Sequence, residues 1–556
     1  MKFPTKPFAI GATAVLALGL ASCSGDGGDG GSDGASGEID EAHSVGAMAD
    51  FGVDTTFVAT EPVEFGLMYR DHPNYPLKND WSILQHLSDD HNVSFDVQSV
   101  PLADFGQKRS LLISSGEAAD MIPSTYTADV ANLTSGGALL KVSDYLDYMP
   151  NFQDKIEKWD LQADLDRTRD AEGDFYVLPG LLEIAKPDYT IAIRADLWEE
   201  AGLEDPTTWD EFTEQLKVIQ ETFPDLSYPY TERTWSAAGV ALPATLQAAS
   251  GDFGTEAGWG YGDGVTWNGS EFEFSGAQDG YRDMITYFHG LIEDGLLDPE
   301  GLTQDEDTAK AKFTTGKVAA ISTNSQETTG YRQGLAESGL DDAVVRNIVV
   351  PAGPAGNIMD ATTGGRFESG IAISAKAADK PYFKAMLQYI DWLYFSDEGL
   401  EFARWGVEGE TFEGQGTDRK LLPGIDWNGV NPDAGDSPKL LNTDFGYYNG
   451  VWSLAHGSTA EELGMMVSEE TANFRTQMND EKEIADGGPA VPLDAMQREE
   501  VAITQTNLED LVMTATSQFL RGDRPLSDWD AYVEELRAAG MDEYVATINE
   551  AAGTAS

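Results

Sequence analysis

One cysteine in 556 residues, Cys23, sets the strictest limit on how this chain can be held together. A single thiol cannot form a disulfide within the chain, and cysteine-based zinc sites fall with it. The fold must therefore rest on packing and polar contacts alone. With 41 % hydrophobic residues and 12 Trp there is ample material for a core. Beyond the N-terminus, no second apolar run approaches the ~20 residues that cross a bilayer as a helix.

Cys23 sits where apolar sequence stops. Lys2 and Lys6 precede the run Phe8–Leu20, which is too short to span a membrane and has the layout of a secretory signal. Leu20-Ala21-Ser22-Cys23 matches the lipobox of bacterial lipoproteins, in which the cysteine becomes the acylated N-terminus after cleavage. Two or more acyl chains give a stable anchor where one does not. The expectation is a signal peptide over residues 1–22, palmitate-type acylation at Cys23, and a Gly/Asp-rich flexible linker over 23–52. The mature protein would then face outward, held to the cell membrane by lipid alone.

Charge narrows the partners. With 35 Lys+Arg against 96 Asp+Glu, the net charge is −61, and the acids are spread along the chain. Such a field repels nucleic acid and anionic lipid surfaces and favours a soluble monomer. It also makes any two neighbouring carboxylates uninformative about catalysis.

Local patterns alternate between strand and helix. Val93, Phe95 and Val97 of VSFDVQSV share one side at strand period. Trp209, Phe212, Leu216, Ile219 and Phe223 recur at helical steps behind a Thr208/Glu211 capping box. Leu508, Leu511, Val512, Ala515 and Phe519 form a second stripe, and Ser527 is expected to cap a last helix that Gly540 stops. IAIRAD, KVAAIST, RNIVVP and SGIAISA read as short strands between helices. This is an α/β pattern.

Catalytic motifs are missing: no HExxH, G-x-S-x-G or Walker A sequence occurs in a useful context, and no cofactor is expected. Aromatic residues instead recur between elements, beside Gly, Asn and Arg. Such rings suit the apolar face of a sugar, while polar groups serve its hydroxyls. Tyr126, Trp235 and Trp405 are the stacking candidates. Asn324, Glu410, Tyr447 and Trp452 are rim and wall candidates. Arg366 in TTGGRFESG suits a bidentate contact to a diol or carboxylate, or equally an ion pair with a nearby acid.

Several stretches resemble the extracellular solute-binding proteins of family 1, and within them the LplA-like lipoproteins of aldouronate or rhamnogalacturonan uptake. They include SVPLADFGQKRSLLISSGEAADMIP (99–123), DYTIAIRADLWEEAGLEDPTTWDEF (188–212) and WGVEGETFE (405–413). The resemblance implies a two-lobed periplasmic-binding-protein-like fold of type II. An N-terminal lobe would comprise 53–187 with about 345–404, and a C-terminal lobe 188–344 with about 405–556. It implies a non-catalytic receptor that closes on an oligosaccharide and delivers it to the permease subunits of an ABC importer. For a uronate ligand, Arg70, Arg109, Arg233 and Arg404 become candidates. The segment after the TTWDEF helix lacks the oxygen ligands of a calcium loop, so no metal is expected there. A surface glycoside hydrolase or lyase, or a polymer-binding adhesin, are the alternatives.

Overall fold

The computed structural model describes residues 37–237, 240–257, 264–325, 327–453 and 458–554. Cys23, the signal sequence and linker residues 23–36 lie outside the described residues. Residues 37–52, expected as flexible linker, instead pack on the core that holds the helix Phe383–Phe395. Ile39, Ala47, Met48 and Phe51 lie against it and Met48 N donates to Gln388 Oε1 at 2.9 Å, so the scattered apolar side chains among Gly and Asp find cover there. Nine strands build the two main sheets: β1 Val63–Asp71, β2 Val93–Pro101, β3 Met121–Thr125, β4 Val177–Leu181, β5 Thr190–Arg194, β6 Tyr230–Thr231, β7 Ala320–Thr323, β8 Val345–Asn347 and β9 Phe367–Ile373.

The first sheet has the order β2-β1-β3-β9-β4. β1 runs parallel to β2 and β3, and β9 runs antiparallel to β3 and β4. Successive residues point to opposite faces, and both faces are covered. Leu67 and Tyr69 of β1 join one core with Trp81, Phe152 and the helix Phe383–Phe395, while Met68 joins a smaller core with Val100, Phe105 and Ile113. That helix is apolar all round and buried along nearly its whole length, as such a pattern demands. Its one carboxylate, Asp391, accepts from the main-chain N–H groups of Asn151 and Phe152 at 2.9 Å each, and so caps the helix Pro150–Lys158.

The second sheet has the order β8-β5-β7-β6. It too is sandwiched: Ile191, Ile193 and Ala320 face the larger core, and Ala192, Ile321 and Val345 a smaller one. The helix Trp209–Thr222 packs Trp209, Phe212, Leu216 and Ile219 into the larger core. Thr208 caps it by accepting from Glu211 N at 3.1 Å, while the Glu211 carboxylate reaches back to Thr207 N rather than to the cap residue. The helix Ala495–Arg521 buries Leu508, Val512, Ala515 and Phe519 in the same core. Ser527 does not cap the following helix: it lies within a 3₁₀ turn over Leu526–Asp528, and the helix starts at Trp529. Gly540 ends that helix, and a further one, Met541–Ala551, follows.

The two lobes do not divide where the sequence suggested. Residues 405–452, expected in the second lobe, pack in the first: Trp405, Phe412, Ile425, Tyr447 and Trp452 share a core with Phe65 and Tyr69. Val345 to Val350, expected in the first, belong to the second sheet and its cores. Apolar residues in the irregular stretch between 405 and 452 follow no period, so nothing in their spacing announces which sheet they cover.

Three passages join the lobes, with described residues 182–189, 348–366 and 458–468, and they lie side by side. Leu182 N donates to Arg366 O at 2.9 Å, and Glu183 N to Ser458 O at 3.0 Å, with Ser458 N returning to Leu181 O at 2.9 Å. The second passage is fastened by a fully buried ion pair. Lys482 Nζ lies 2.7 and 2.8 Å from the two oxygens of Asp252, and Asp252 also accepts from Ile358 N at 3.1 Å. Burial pushes the Asp252 carboxyl up and the Lys482 ammonium down, each toward its uncharged form. Breaking such a pair strands one charge in the interior. Lys482→Met is therefore expected to cost about 3–5 kcal/mol in urea unfolding, and Asp252→Asn added to it to recover much of the loss. A single Lys482→Met variant as stable as the parent would contradict this.

Candidate functional site

The first and third passages, with the start of β9, form the floor of a cavity of about 870 Å³ between the lobes. Lys186 and Asp188 come from the first passage, Glu368 from the start of β9, and Ser458 from the third. The first lobe supplies one wall through His72 and Tyr75 after β1, and through the loops carrying Trp427 and Tyr448. The second lobe supplies the other through Ser325 to Gln333 after β7 and through Arg475.

Two aromatic pairs stand in the first wall. His72 and Tyr75 stack with centroids 4.4 Å apart and planes 6° from parallel. Trp427 and Tyr448 lie 4.3 Å apart at 45°. The Arg404 guanidinium sits 5.1 Å from the Tyr448 ring centroid, a cation–π distance. Tyr448 has φ +47°, and the lining residues Asn428 and Met466 have φ +49° and +57°. A bulky side chain in the left-handed region is uncommon, and such residues gather where a ligand must be met.

The polar lining is ion-paired. Lys186 pairs with Glu368, Arg475 Nη2 with Asp188 at 2.9 Å, and Arg404 Nη1 with Glu462 at 3.4 Å. Glu327 is held by Lys310 at 2.8 Å and faces Arg233 at 3.5 Å. Asp426 accepts from the main-chain N–H of Gly429 at 2.8 Å and of Asn431 at 3.1 Å. Arg70, at the end of β1, makes no carboxylate pair among the described residues. Its guanidinium lies beside Gly450, where a Cβ would stand 2.5 Å from Nη2. Burial raises the pKa of the neighbouring Tyr75 hydroxyl against the opposing charge of Arg70.

The sequence candidates scatter. Tyr126 follows β3 and is 50 % exposed; burial of its hydroxyl and the Glu368 carboxylate raise its pKa, which places it beside the cavity floor. Asn324 follows β7, engages Tyr189, and adjoins the lining residue Ser325. Neither lines the cavity; each adjoins a residue that does. Trp235 belongs to a hairpin strand, Thr234–Ala237, and its side chain lies outside the described residues.

Trp405, Tyr447 and Trp452 are not exposed to a ligand. They are 3 %, 0 % and 1 % accessible and fill the first lobe's core. Trp405 Nε1 does donate to Glu462 at 3.3 Å, so it supports a lining carboxylate from behind. Glu410 stands on the surface, where it accepts from His86 Nε2 at 3.0 Å. Burial disfavours the charged His86, but Asp90 and Glu410 outweigh this and its pKa is raised. Arg366 donates to Trp159 O, Asp160 O and Asp164 Oδ2, each at 2.8 Å, and so ties the second passage to the first lobe. Of the other arginines, Arg109 pairs with Asp129 at 2.8 Å and Arg233 with Glu306. Sequence reasoning missed Trp427, Tyr448 and Tyr75. The first has the same Asn/Gly-flanked setting that singled out other tryptophans, and Tyr448 is one residue from the tyrosine chosen.

Two sandwiched α/β lobes, joined by adjacent passages with a polar and aromatic cavity between them, define a protein of the two-lobed periplasmic-binding type. The sequence model of the bacterial extracellular solute-binding proteins matches residues 84–399, more than half of the chain, and the chain belongs to that family. It is 23 % identical over 525 residues to the fructooligosaccharide ABC transporter substrate-binding protein FusA of Streptococcus pneumoniae, covering 88 % of this chain and 90 % of FusA. It is 23 % identical over 327 residues to the lipoprotein LipO of Bacillus subtilis, covering 56 % and 60 %. Among solved structures, a human-milk-oligosaccharide (HMO) binding solute-binding protein of Bifidobacterium longum infantis superposes with a TM-score of 0.68 at 19 % identity, covering 89 % of this chain and 99 % of that one.

Core and cleft aromatics should separate on mutation. Trp452→Ala is expected to cost about 3–5 kcal/mol of stability, as for other fully buried aromatics. Trp427→Ala should leave the ligand-free thermal midpoint nearly unchanged. Equal losses in the two variants would mean that Trp427 is a core residue too.

Proposed function

We propose that this protein captures an oligosaccharide between its lobes, leaves it chemically unaltered, and presents it to an ABC importer at the outer face of the cell membrane. The observation that carries this reading is the cavity wall. Ring faces at Tyr75, Trp427 and Tyr448 offer flat apolar surface, and they alternate with Asn428, Asn442 and Asn449, which can both donate and accept. Sugars present that same mixture of C–H face and hydroxyl rim. FusA and the HMO-binding protein are oligosaccharide binders by name, which supports the same class here. Tyr126 and Asn324 extend the site toward the hinge, and Arg70, hydrogen-bonded to Tyr75, brings a guanidinium to its edge.

Capture rather than turnover fits the carboxylates. A glycosidase keeps one carboxyl protonated and a second free across the bond to be cut. The lining carboxylates here are held by cations or by main-chain N–H groups. Because the two walls come from different lobes, a ligand touching both stabilises the closed arrangement of the lobes. Acylation at Cys23, supported by the lipobox and by the lipoprotein relative LipO, would keep the receptor at the membrane.

The test is calorimetry and small-angle scattering on the purified protein with an oligosaccharide panel. A bound sugar should raise the thermal midpoint, reduce the radius of gyration and release no reducing ends. Liberated reducing ends would make it an enzyme. For the anchor, labelled palmitate should enter the parent and not Cys23→Ala; equal labelling would place the lipid elsewhere.

A further inference from the structure

The geometry points to a ligand without net charge: a neutral oligosaccharide, with uronate-bearing and amine-bearing sugars excluded. This inference rests on the oligosaccharide reading and adds the charge class to it. In a chain of net charge −61, a site for an anion has to set cations aside. The cleft does the reverse. Its three lining cations, Lys186, Arg404 and Arg475, are each committed to a lining carboxylate, Glu368, Glu462 and Asp188. Glu327 is answered from behind by Lys310 and Arg233, and Glu462 is shared with Arg419. Two lining or bordering groups lack a charged partner among the described residues: Asp426, satisfied by main-chain N–H groups, and Arg70. One is negative and one positive, so the region stays near balance inside a strongly acidic molecule.

A paired cleft handles hydroxyls and charges differently. A carboxylate bonded to one cation still has lone pairs for a sugar O–H, and a guanidinium bonded to one carboxylate still has N–H groups for a sugar oxygen. A neutral polyol therefore uses the pairs as they stand. A uronate must either break a pair or enter opposite Glu368, Glu462 and Asp188, and like charges brought together in a closing site are strongly unfavourable. An ammonium sugar meets the same obstacle from the committed cations.

The experiment is calorimetric titration of the full-length protein with xylotetraose, maltotetraose, cellotetraose and kestose as neutral probes, tetragalacturonate as the anion and the fully deacetylated glucosamine tetramer as the cation. Each titration is run at low and at high salt. At least one neutral probe should bind with an affinity that salt leaves unchanged, and both charged probes should bind at least about tenfold more weakly. Tight, salt-sensitive binding of either charged tetramer would overturn the charge assignment while leaving the oligosaccharide reading intact. Silence from every sugar would overturn both. Glu368→Gln provides a second arm, because both residues of its pair are surface-accessible at the cleft. It releases Lys186 and is expected to make tetragalacturonate binding detectable at low salt. Indifference of this variant to uronate would show that ion pairing is not what excludes the anion.

Discussion

The hinge is a short ribbon of main-chain hydrogen bonds, and both lobes and the cleft depend on it. Leu182, Arg366 and Ser458 belong to three separate passages between the sheets, yet their backbones are bonded to one another. Each lobe is consequently built from segments far apart in sequence. β9 completes the first sheet only after the whole second sheet has been made, and the helix Glu469–Glu481 returns to the second core after residues 383–452 have packed on the first. A ribbon of three strands can bend with small changes at a few residues, as hinges do. It also places Lys186, Glu368 and Ser458 at the bottom of the cavity, so that whatever touches the floor is in contact with the joint itself.

The fold was legible where periodicity was strong. The helix Trp209–Thr222 combines a cap, an acidic first turn and four buried residues on one stripe, and each signal agrees with the others. β5, β7 and β9 read as strands because short apolar runs between turns have few alternatives. The lobe boundary was not legible, because residues 405–452 are mostly irregular and their burial is set by tertiary contact rather than by spacing. The site suffered in the same way. Within FGYYNGVW the sequence pointed to Tyr447 and Trp452, but in an irregular loop the outward residue cannot be told from its neighbour: Tyr447 fills the core and Tyr448 lines the cavity. Arg366 was equally open between ligand and ion pair, and the hinge took it.

Scarce positive charge is spent inward. Lys482 is wholly buried against Asp252, Lys312 joins the buried Asp298 at 2.6 Å, and Arg194 pairs with Asp196. Such pairs contribute little net stability compared with well-packed apolar groups, yet removing one partner is costly. The Lys482–Asp252 pair, 230 residues apart in the chain, also fixes which portions meet. For the acids that stand on the surface, water and salt weaken their mutual repulsion.

Tyr448 illustrates what the framework does for the cleft. Holding a non-glycine residue in the left-handed region costs on the order of 1–3 kcal/mol, and the surroundings must over-determine it. Here they do: Tyr448 N donates to Ala403 O at 2.8 Å, Gly446 two residues earlier is itself at φ +84°, and the Arg404 guanidinium lies against the ring. The main-chain bond ties the strained residue to the helix Asp397–Trp405, whose Ala403 and Trp405 are buried in the first core. The ring is thus set in place before any ligand arrives. Binding then need not order it, and the strain already met in folding is recovered as a smaller loss of side-chain freedom on association.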